Sequence, residues 1–179
     1  GQLGNNTTST GSNATPVVVK DIAGTGTLAS VASLSAGGNH TCAVLSSGGV
    51  NCWGYNGYGG LGNNTATLSS RPVAVTAIGG SGTLASVSAV SAGYYHTCAL
   101  LTGGGVNCWG YNAHGELGNA LTAQVNSPVA VTTTSGTGTL ASVTAIVTGV
   151  YHSCAIISGG TMNCWGYNTN GQLGDASVS

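Results

Sequence analysis

The stretch HTCAVLSSGGVNCWGYNGYGGLG, from His40 to Gly62, decides the fold because it occurs three times. It returns as HTCALLTGGGVNCWGYNAHGELG from His96 to Gly118 and as HSCAIISGGTMNCWGYNTNGQLG from His152 to Gly174. Both steps are 56 residues long. A period of this length marks a supersecondary unit that cannot bury its apolar face alone and must stack on its neighbours, as propeller blades do. Within the stretch, HTCAVLS and GVNCWGYN flank a Gly-rich turn, which predicts a β-hairpin.

Upstream of each hairpin lies VASLSAG, VSAVSAG or VTAIVTG. Its larger residues, such as Val31 and Leu34, do not alternate with polar ones, so a strand buried on both faces is expected. Further upstream, Pro16, Pro72 and Pro128 each open an apolar run: PVVV, PVAV and PVAV. Proline at the first residue of an edge strand loses no ladder donor. No segment has helical periodicity. The expectation is an all-β chain of propeller blades with four antiparallel strands each, forming an incomplete ring unless assembled. Blade repeats are placed at residues 16–71, 72–127 and 128–179. A Ser/Thr/Asn-rich segment, residues 1–15, overlaps a preceding repeat. Leu3 to Leu61 is 58 residues against 56 for the later leucines, so two extra residues fall in this segment. The sequence opens on GQLG without Met and ends on GQLGDASVS, which reads as a processed product or a piece of a longer array. The PVVV run could complete a blade begun by C-terminal strands.

Only Lys20, Arg71, Asp21, Glu116 and Asp175 carry fixed charge, for a net charge of −1. Such a chain offers no basic footprint for nucleic acid or an anionic membrane, and no apolar run is long enough for a spanning helix. The three carboxylates share no motif and no Ser-His-acid arrangement is readable, so no enzyme activity and no cofactor are expected. Charged residues are 3% of the chain, against about 25% in ordinary soluble domains. Solubility must then come from Ser, Thr and Asn, from glycans, or from burial in an assembly. Asn5, Asn6, Asn13, Asn39 and Asn63 each have Thr two residues on and are candidate glycosylation sites.

The six cysteines pair by position: Cys42 with Cys52, Cys98 with Cys108, and Cys154 with Cys164. Opposed residues of a hairpin lie ~4.5–5.5 Å apart at Cα, within reach of a disulfide. Three hairpin disulfides are expected, which places the protein outside the reducing cytosol. Six buried thiols are the alternative. Zinc fits less well, because ten-residue spacing lacks tight ligand doublets.

His40, His96 and His152 recur at one position, where an imidazole satisfying loop carbonyls explains them better than a metal ring. Trp53, Trp109 and Trp165 are expected to pack between blades with the indole N–H on a carbonyl. Asn56, Asn112 and Asn168 are expected to bind turn backbone. Positions that differ between copies carry the candidate partner-binding residues: Tyr94 (Gly38 and Val150 in the other copies), Tyr95 and Tyr151 (Asn39), and Tyr58 with His114 (Asn170). Aromatic loops on a rigid scaffold suit protein recognition.

The pattern H-[TS]-C-A-x-x-x-x-G-x-x-x-C-W-G-x-N-x-x-G-x-L-G resembles the repeat of the regulator of chromosome condensation family. Its specific part is the segment from Trp53 to Gly62, repeated from Trp109 to Gly118 and from Trp165 to Gly174. The resemblance covers nearly the whole chain. It implies a β-propeller of four-stranded blades, and since propellers close with ~4–8 blades, three repeats do not make a ring. Members of the family include a chromatin-bound nucleotide exchange factor for a small GTPase, a secreted bacterial propeller that inhibits β-lactamases through aromatic loop residues, and large extracellular bacterial proteins. The Cys pairs resemble the secreted bacterial type.

The expected function is therefore an extracellular, non-catalytic binding or scaffold module that engages a protein partner through loop residues. The alternative is self-assembly, as a homo-oligomer or polymer whose neighbouring chains complete each other's blades. Nucleotide exchange ranks below both, since the cellular setting it needs conflicts with the Cys pairs.

Overall fold

The computed structural model describes residues 1–8 and 11–177. Residues 9–10 of the N-terminal segment and 178–179 of the third repeat lie outside the described residues. Eleven strands and no helix are present among the described residues. They form three antiparallel sheets. The first contains β1 (Val31–Ala36), β2 (His40–Leu45), β3 (Val50–Gly54) and β4 (Ser69–Ala74), side by side in that order. The second contains β5 (Val87–Ala92), β6 (His96–Leu101), β7 (Val106–Gly110) and β8 (Val125–Ala130) in the same order. The third has three strands: β9 (Val143–Thr148), β10 (His152–Ile157) and β11 (Met162–Gly166).

The predicted hairpins are β2–β3, β6–β7 and β10–β11. Cys42 stands opposite Cys52, Cys98 opposite Cys108, and Cys154 opposite Cys164. All three pairs are disulfide-bonded, with Cα atoms 4.1 Å apart. The pairing follows from register: the Gly-rich turn aligns the two strands, and the cysteines fall at directly opposed positions.

Two expectations need correction. The proline-bearing run is the last strand of a sheet, not the first. Pro72 lies inside β4 and Pro128 inside β8, so windows beginning at those prolines give the period but cut through a strand. Both strands are outer edges, and each prolyl residue sits where the register shifts: Asn51 and Cys52 pair with Ala74 and Val73, then Gly54 pairs with Ser69. A bulged edge needs no donor from proline. Residues 16–19 are in no strand. The second correction concerns β1, β5 and β9, which are the opposite edges of their sheets and only partly buried; Leu34 is 67% exposed. β5 meets both neighbouring sheets, with Val87 and Val90 in the first seam and Ala89 in the second.

The core lies between sheets. Cys42, Val44, Val50 and Cys52 of the first sheet meet Val87, Ala99 and Trp109 of the second, enclosing Leu61, Val75 and Leu84. The next seam repeats this with Cys98, Leu100, Val106 and Cys108 against Val143, Ala155 and Trp165, enclosing Leu117, Val131 and Leu140. The 56-residue period thus reflects a shared hydrophobic seam, as stacked blades require.

Candidate functional site

Each seam is fastened by the residues that recur. The His40 Nε2 lies 2.7 Å from the Thr97 hydroxyl of the next sheet, and His96 Nε2 lies 2.9 Å from the Ser153 hydroxyl. Those hydroxyls donate to the Gly60 and Glu116 carbonyls, at 2.9 and 3.1 Å. The same carbonyls accept the indole N–H of Trp109 and Trp165, both at 2.8 Å. Trp53 makes the equivalent bond to the Gln2 carbonyl at 2.8 Å. Trp109 and Trp165 therefore sit between sheets, and Trp53 packs on residues 1–4. The histidines differ from expectation: their partner is a hydroxyl on the adjacent blade rather than a loop carbonyl. Burial holds the His40 imidazole down to about 4 and that of His96 to about 3, so both rings are neutral at pH 7.

The loop that supplies these carbonyls is shaped by asparagine. Asn56 Oδ1 accepts the Leu61 N–H at 2.9 Å, and its Nδ2 donates to the Thr65 and Thr67 carbonyls at 3.0 Å each. Asn112 repeats this with Leu117, Leu121 and Ala123, and Asn168 with Leu173 and Ser177. At Gly62, φ is +65° and an added Cβ would lie 2.7 Å from Trp109 Nε1, so the indole seat needs glycine twice over.

One rim of the stack has a different character. The loop between β1 and β2 is tied to the loop after β3 by the Tyr55 N–H on the Asn39 carbonyl, at 2.8 Å. Tyr111 on Tyr95 and Tyr167 on Tyr151 repeat the tie at 3.1 and 2.8 Å. These ties bring all seven tyrosines of the chain and His114 into one aromatic network. It runs from Tyr55 through Tyr58 and Tyr95 to Tyr94, and through Tyr111 to Tyr151, His114 and Tyr167. Neighbouring ring centroids are 4.4 Å apart at the closest, between Tyr94 and Tyr95, and 6.3 Å at the widest. Most pairs are edge-to-face or tilted, the favourable arrangement for aromatic rings. Tyr55 and Tyr94 are exposed, and the other five tyrosines are half-buried.

Segments 47–100 and 103–156 match the profile of the Regulator of chromosome condensation (RCC1) repeat, and 31–59, 87–116 and 143–172 match a second profile of the same description. The chain belongs to the RCC1 repeat family. It is 30% identical over 141 residues to the ultraviolet-B receptor UVR8 of Arabidopsis thaliana, covering 79% of this chain and 30% of that protein. It is 32% identical to the mitochondrial RCC1 domain-containing protein RUG3 of the same plant, covering 83% and 33%. The chain thus spans about a third of the length of these curated relatives. Among solved structures it resembles human WBSCR16, with a TM-score of 0.67, 23% identity, and coverage of 83% and 36%. It also resembles Prp20p of Saccharomyces cerevisiae, a protein described with binding to Gsp1p and histones, at a TM-score of 0.62, 25% identity, and coverage of 82% and 34%. RCC1-like propeller repeats are protein-interaction modules, and the RCC1 fold accounts for the recurring His, Trp, Asn and Gly positions.

The aromatic rim of this RCC1 chain was only partly readable. Tyr58, Tyr94, Tyr95, His114 and Tyr151 do come together. Tyr55, Tyr111 and Tyr167 were missed because they recur in every WGYN and so read as scaffold. Glu116 was also missed. It is fully buried beneath the rim, its Oε2 accepts the His114 N–H at 2.9 Å, and its Oε1 has no hydrogen-bond partner. Burial pushes its carboxyl above the usual range. The equivalent residues, Gly60 and Gln172, carry no charge, and that contrast was the available signal.

The candidate glycosylation sites divide by environment. Asn6 and Asn13 are exposed, whereas Asn5, Asn39 and Asn63 are half-buried. Asn63 Oδ1 accepts from Asn56 Nδ2 at 3.1 Å and from the Thr65 hydroxyl at 2.8 Å. Asn5 Oδ1 accepts from the Thr7 hydroxyl at 2.7 Å. Among the described residues no group of His, Cys, Asp and Glu is arranged to hold a metal ion, and no helix is long and apolar enough to cross a membrane.

Proposed function

We propose that this chain is a non-catalytic, extracellular RCC1-type module that binds a protein partner on its tyrosine rim. The observation that carries the reading is the gathering of all seven tyrosines on one rim, tied to the scaffold by backbone hydrogen bonds. Tyrosine provides contact area and a polar tip while ordering only two torsions, which suits a recognition surface. The rigid blades supply preorganisation. Three disulfides support a location outside the reducing cytosol. The other two carboxylates favour no catalysis, since Asp21 and Asp175 are engaged by their own turns, at Thr25 and Ser177.

The test is a peptide library selected on the oxidised chain, followed by affinity measurement on a variant carrying Tyr58→Ala, Tyr95→Ala and Tyr151→Ala. Central aromatic anchors are worth about 2 kcal/mol or more each. The reading expects selected peptides to lose at least about thirtyfold in affinity on the variant. Selected peptides that bind both proteins equally would refute it.

A further inference from the structure

Glu116 carries a charge that its loop does not need. The loops after β3, β7 and β11 close on the same backbone bonds. Gly59, Gly115 and Gly171 donate to the Asn56, Asn112 and Asn168 carbonyls, and Gly62, Gly118 and Gly174 donate back to those three glycines. The residue inside this turn is Gly60 in the first loop, Glu116 in the second and Gln172 in the third. Gly60 shows that the turn forms with no side chain there. Gln172 shows that a neutral amide oxygen does the same local work, because its Oε1 accepts the Asn170 N–H at 2.9 Å, as Glu116 Oε2 accepts that of His114. What Glu116 adds is a fully buried carboxylate whose Oε1 has no partner. Such a group is costly unless a cation satisfies it.

Glu116 sits inside the stack, in the seam between the second and third sheets, where its backbone carbonyl accepts the Ser153 hydroxyl and the Trp165 indole. Its side chain lies at the aromatic rim. Oε2 holds the backbone of His114, whose ring centroid is 5.9 Å from Tyr151 and 6.2 Å from Tyr111. Tyr111 and Tyr151 are themselves 6.0 Å apart. The Tyr111 phenol is pushed up by burial and then by the Glu116 charge, so ring and carboxylate are close enough to interact. Aromatic faces hold Lys and Arg side chains through the ring quadrupole. A carboxylate behind those rings, in surroundings of low dielectric, strengthens the same field. The chain's two fixed cations are engaged elsewhere: Arg71 donates to the Ile22 carbonyl, and Lys20 stands beside Asp21.

We propose that Tyr111, His114, Tyr151 and Glu116 form a cation subsite, which seats a Lys or Arg side chain of the protein partner with an N–H on Glu116 Oε1. This rests on the rim being the partner-binding surface, and it gives that partner a chemistry: a basic segment. Glu116 has no exposed surface of its own, so the arriving cation turns aside the His114 side chain, which is exposed and packed there against other rings. The cation then lies between Tyr111 and Tyr151 and supplies the donor that Oε1 lacks. The equivalent positions, Gly60 and Gln172, are neutral. The charge therefore marks one seat among three similar loops, and the basic residue that takes it fixes where the rest of the partner lies on the rim.

The peptides selected on the oxidised chain are sequenced, and the basic ones are remade with norleucine for Lys and citrulline for Arg. Selection is expected to enrich Lys and Arg over the starting pool. The neutral analogues are expected to lose at least about tenfold in affinity, and the parent peptides to lose a similar factor on Glu116→Gln. Glutamine keeps the local bond, as Gln172 does, so the urea midpoint of this variant is expected to be unchanged or raised. Asp21→Asn, which removes a carboxylate before the first sheet, leaves affinity unchanged. Peptides that need the tyrosines but carry no basic residue overturn the cation subsite and leave tyrosine-dependent recognition intact. So do basic peptides that bind equally well as neutral analogues or on Glu116→Gln, or that lose as much on Asp21→Asn. A lowered urea midpoint for Glu116→Gln gives the carboxylate a structural role and overturns the subsite too. Peptides that bind the tyrosine-to-alanine variant undiminished overturn both the subsite and the rim.

Discussion

Replacing Gly62 by alanine isolates what the indole seat contributes, because Gly174 supplies a matched control. Both glycines close a G-x-L-G loop, with φ of +65° and +67°. A side chain in the left-handed region costs about 1–2 kcal/mol, and both variants bear this. Only at Gly62 does the new Cβ collide, at 2.7 Å from Trp109 Nε1 and 2.9 Å from two further ring atoms. Trp109 is fully buried, so the ring must shift within a packed seam, at about 1–3 kcal/mol. Its N–H then leaves the Gly60 carbonyl, and an unsatisfied buried donor costs about 1–3 kcal/mol more. Gly62→Ala is expected to lose about 3–8 kcal/mol against about 1–2 for Gly174→Ala. Urea titration of both variants at low protein concentration, followed by tryptophan fluorescence and far-UV circular dichroism, measures the difference. Equal losses in the two variants would refute the argument that the seam is locked through tryptophan.

Three further outcomes follow from the same geometry. Asn112→Ala removes four bonds from a fully buried side chain and is expected to cost about 2–4 kcal/mol in urea unfolding; Asn112→Asp, which keeps the acceptor for the Leu117 N–H but turns a buried carboxylate oxygen toward the Leu121 and Ala123 carbonyls, should recover none of it at neutral pH. His40 and His96 are neutral when folded and have ordinary pKa values when unfolded, so below about pH 6.5 the unfolded chain binds protons that the folded chain refuses. Stability should therefore be highest above that pH and fall steadily toward pH 4, by about 3 kcal/mol for His40 alone, and a flat profile over this window in thermal scans would contradict the burial. Replacing Cys98 and Cys108 together by alanine opens a short loop, with cysteines ten residues apart, and should cost about 3 kcal/mol in chemical unfolding under non-reducing conditions.

The hairpins were legible because their turn and their cysteines fix register locally. The sheet boundaries were not, because a repeat shows its period without its phase. Pro72 looks like a beginning in one dimension, yet it closes a sheet that began at Val31. The role of His40 was half legible. Its recurrence marked it as structural, but its hydroxyl partner lies 57 residues away and only the stacking of sheets brings it near. The aromatic rim shows the opposite limit. Variable tyrosines stood out, while Tyr55, Tyr111 and Tyr167 were hidden by their own recurrence, and the backbone ties that gather them appear in no residue pattern.

The three disulfides all lie inside sheets, and among the described residues none crosses a seam. Mechanically the chain is a series of stapled plates packed on one another through shared cores. Under tension each staple holds its hairpin closed while unstapled parts of the chain extend. Each staple withholds the segment between its cysteines, ten residues apart, from extension, about 30 Å of chain at ~3.3–3.6 Å per residue. A pulled molecule kept oxidised therefore gives way in short, recoverable steps, with the hairpins intact as templates for the sheets to re-form on.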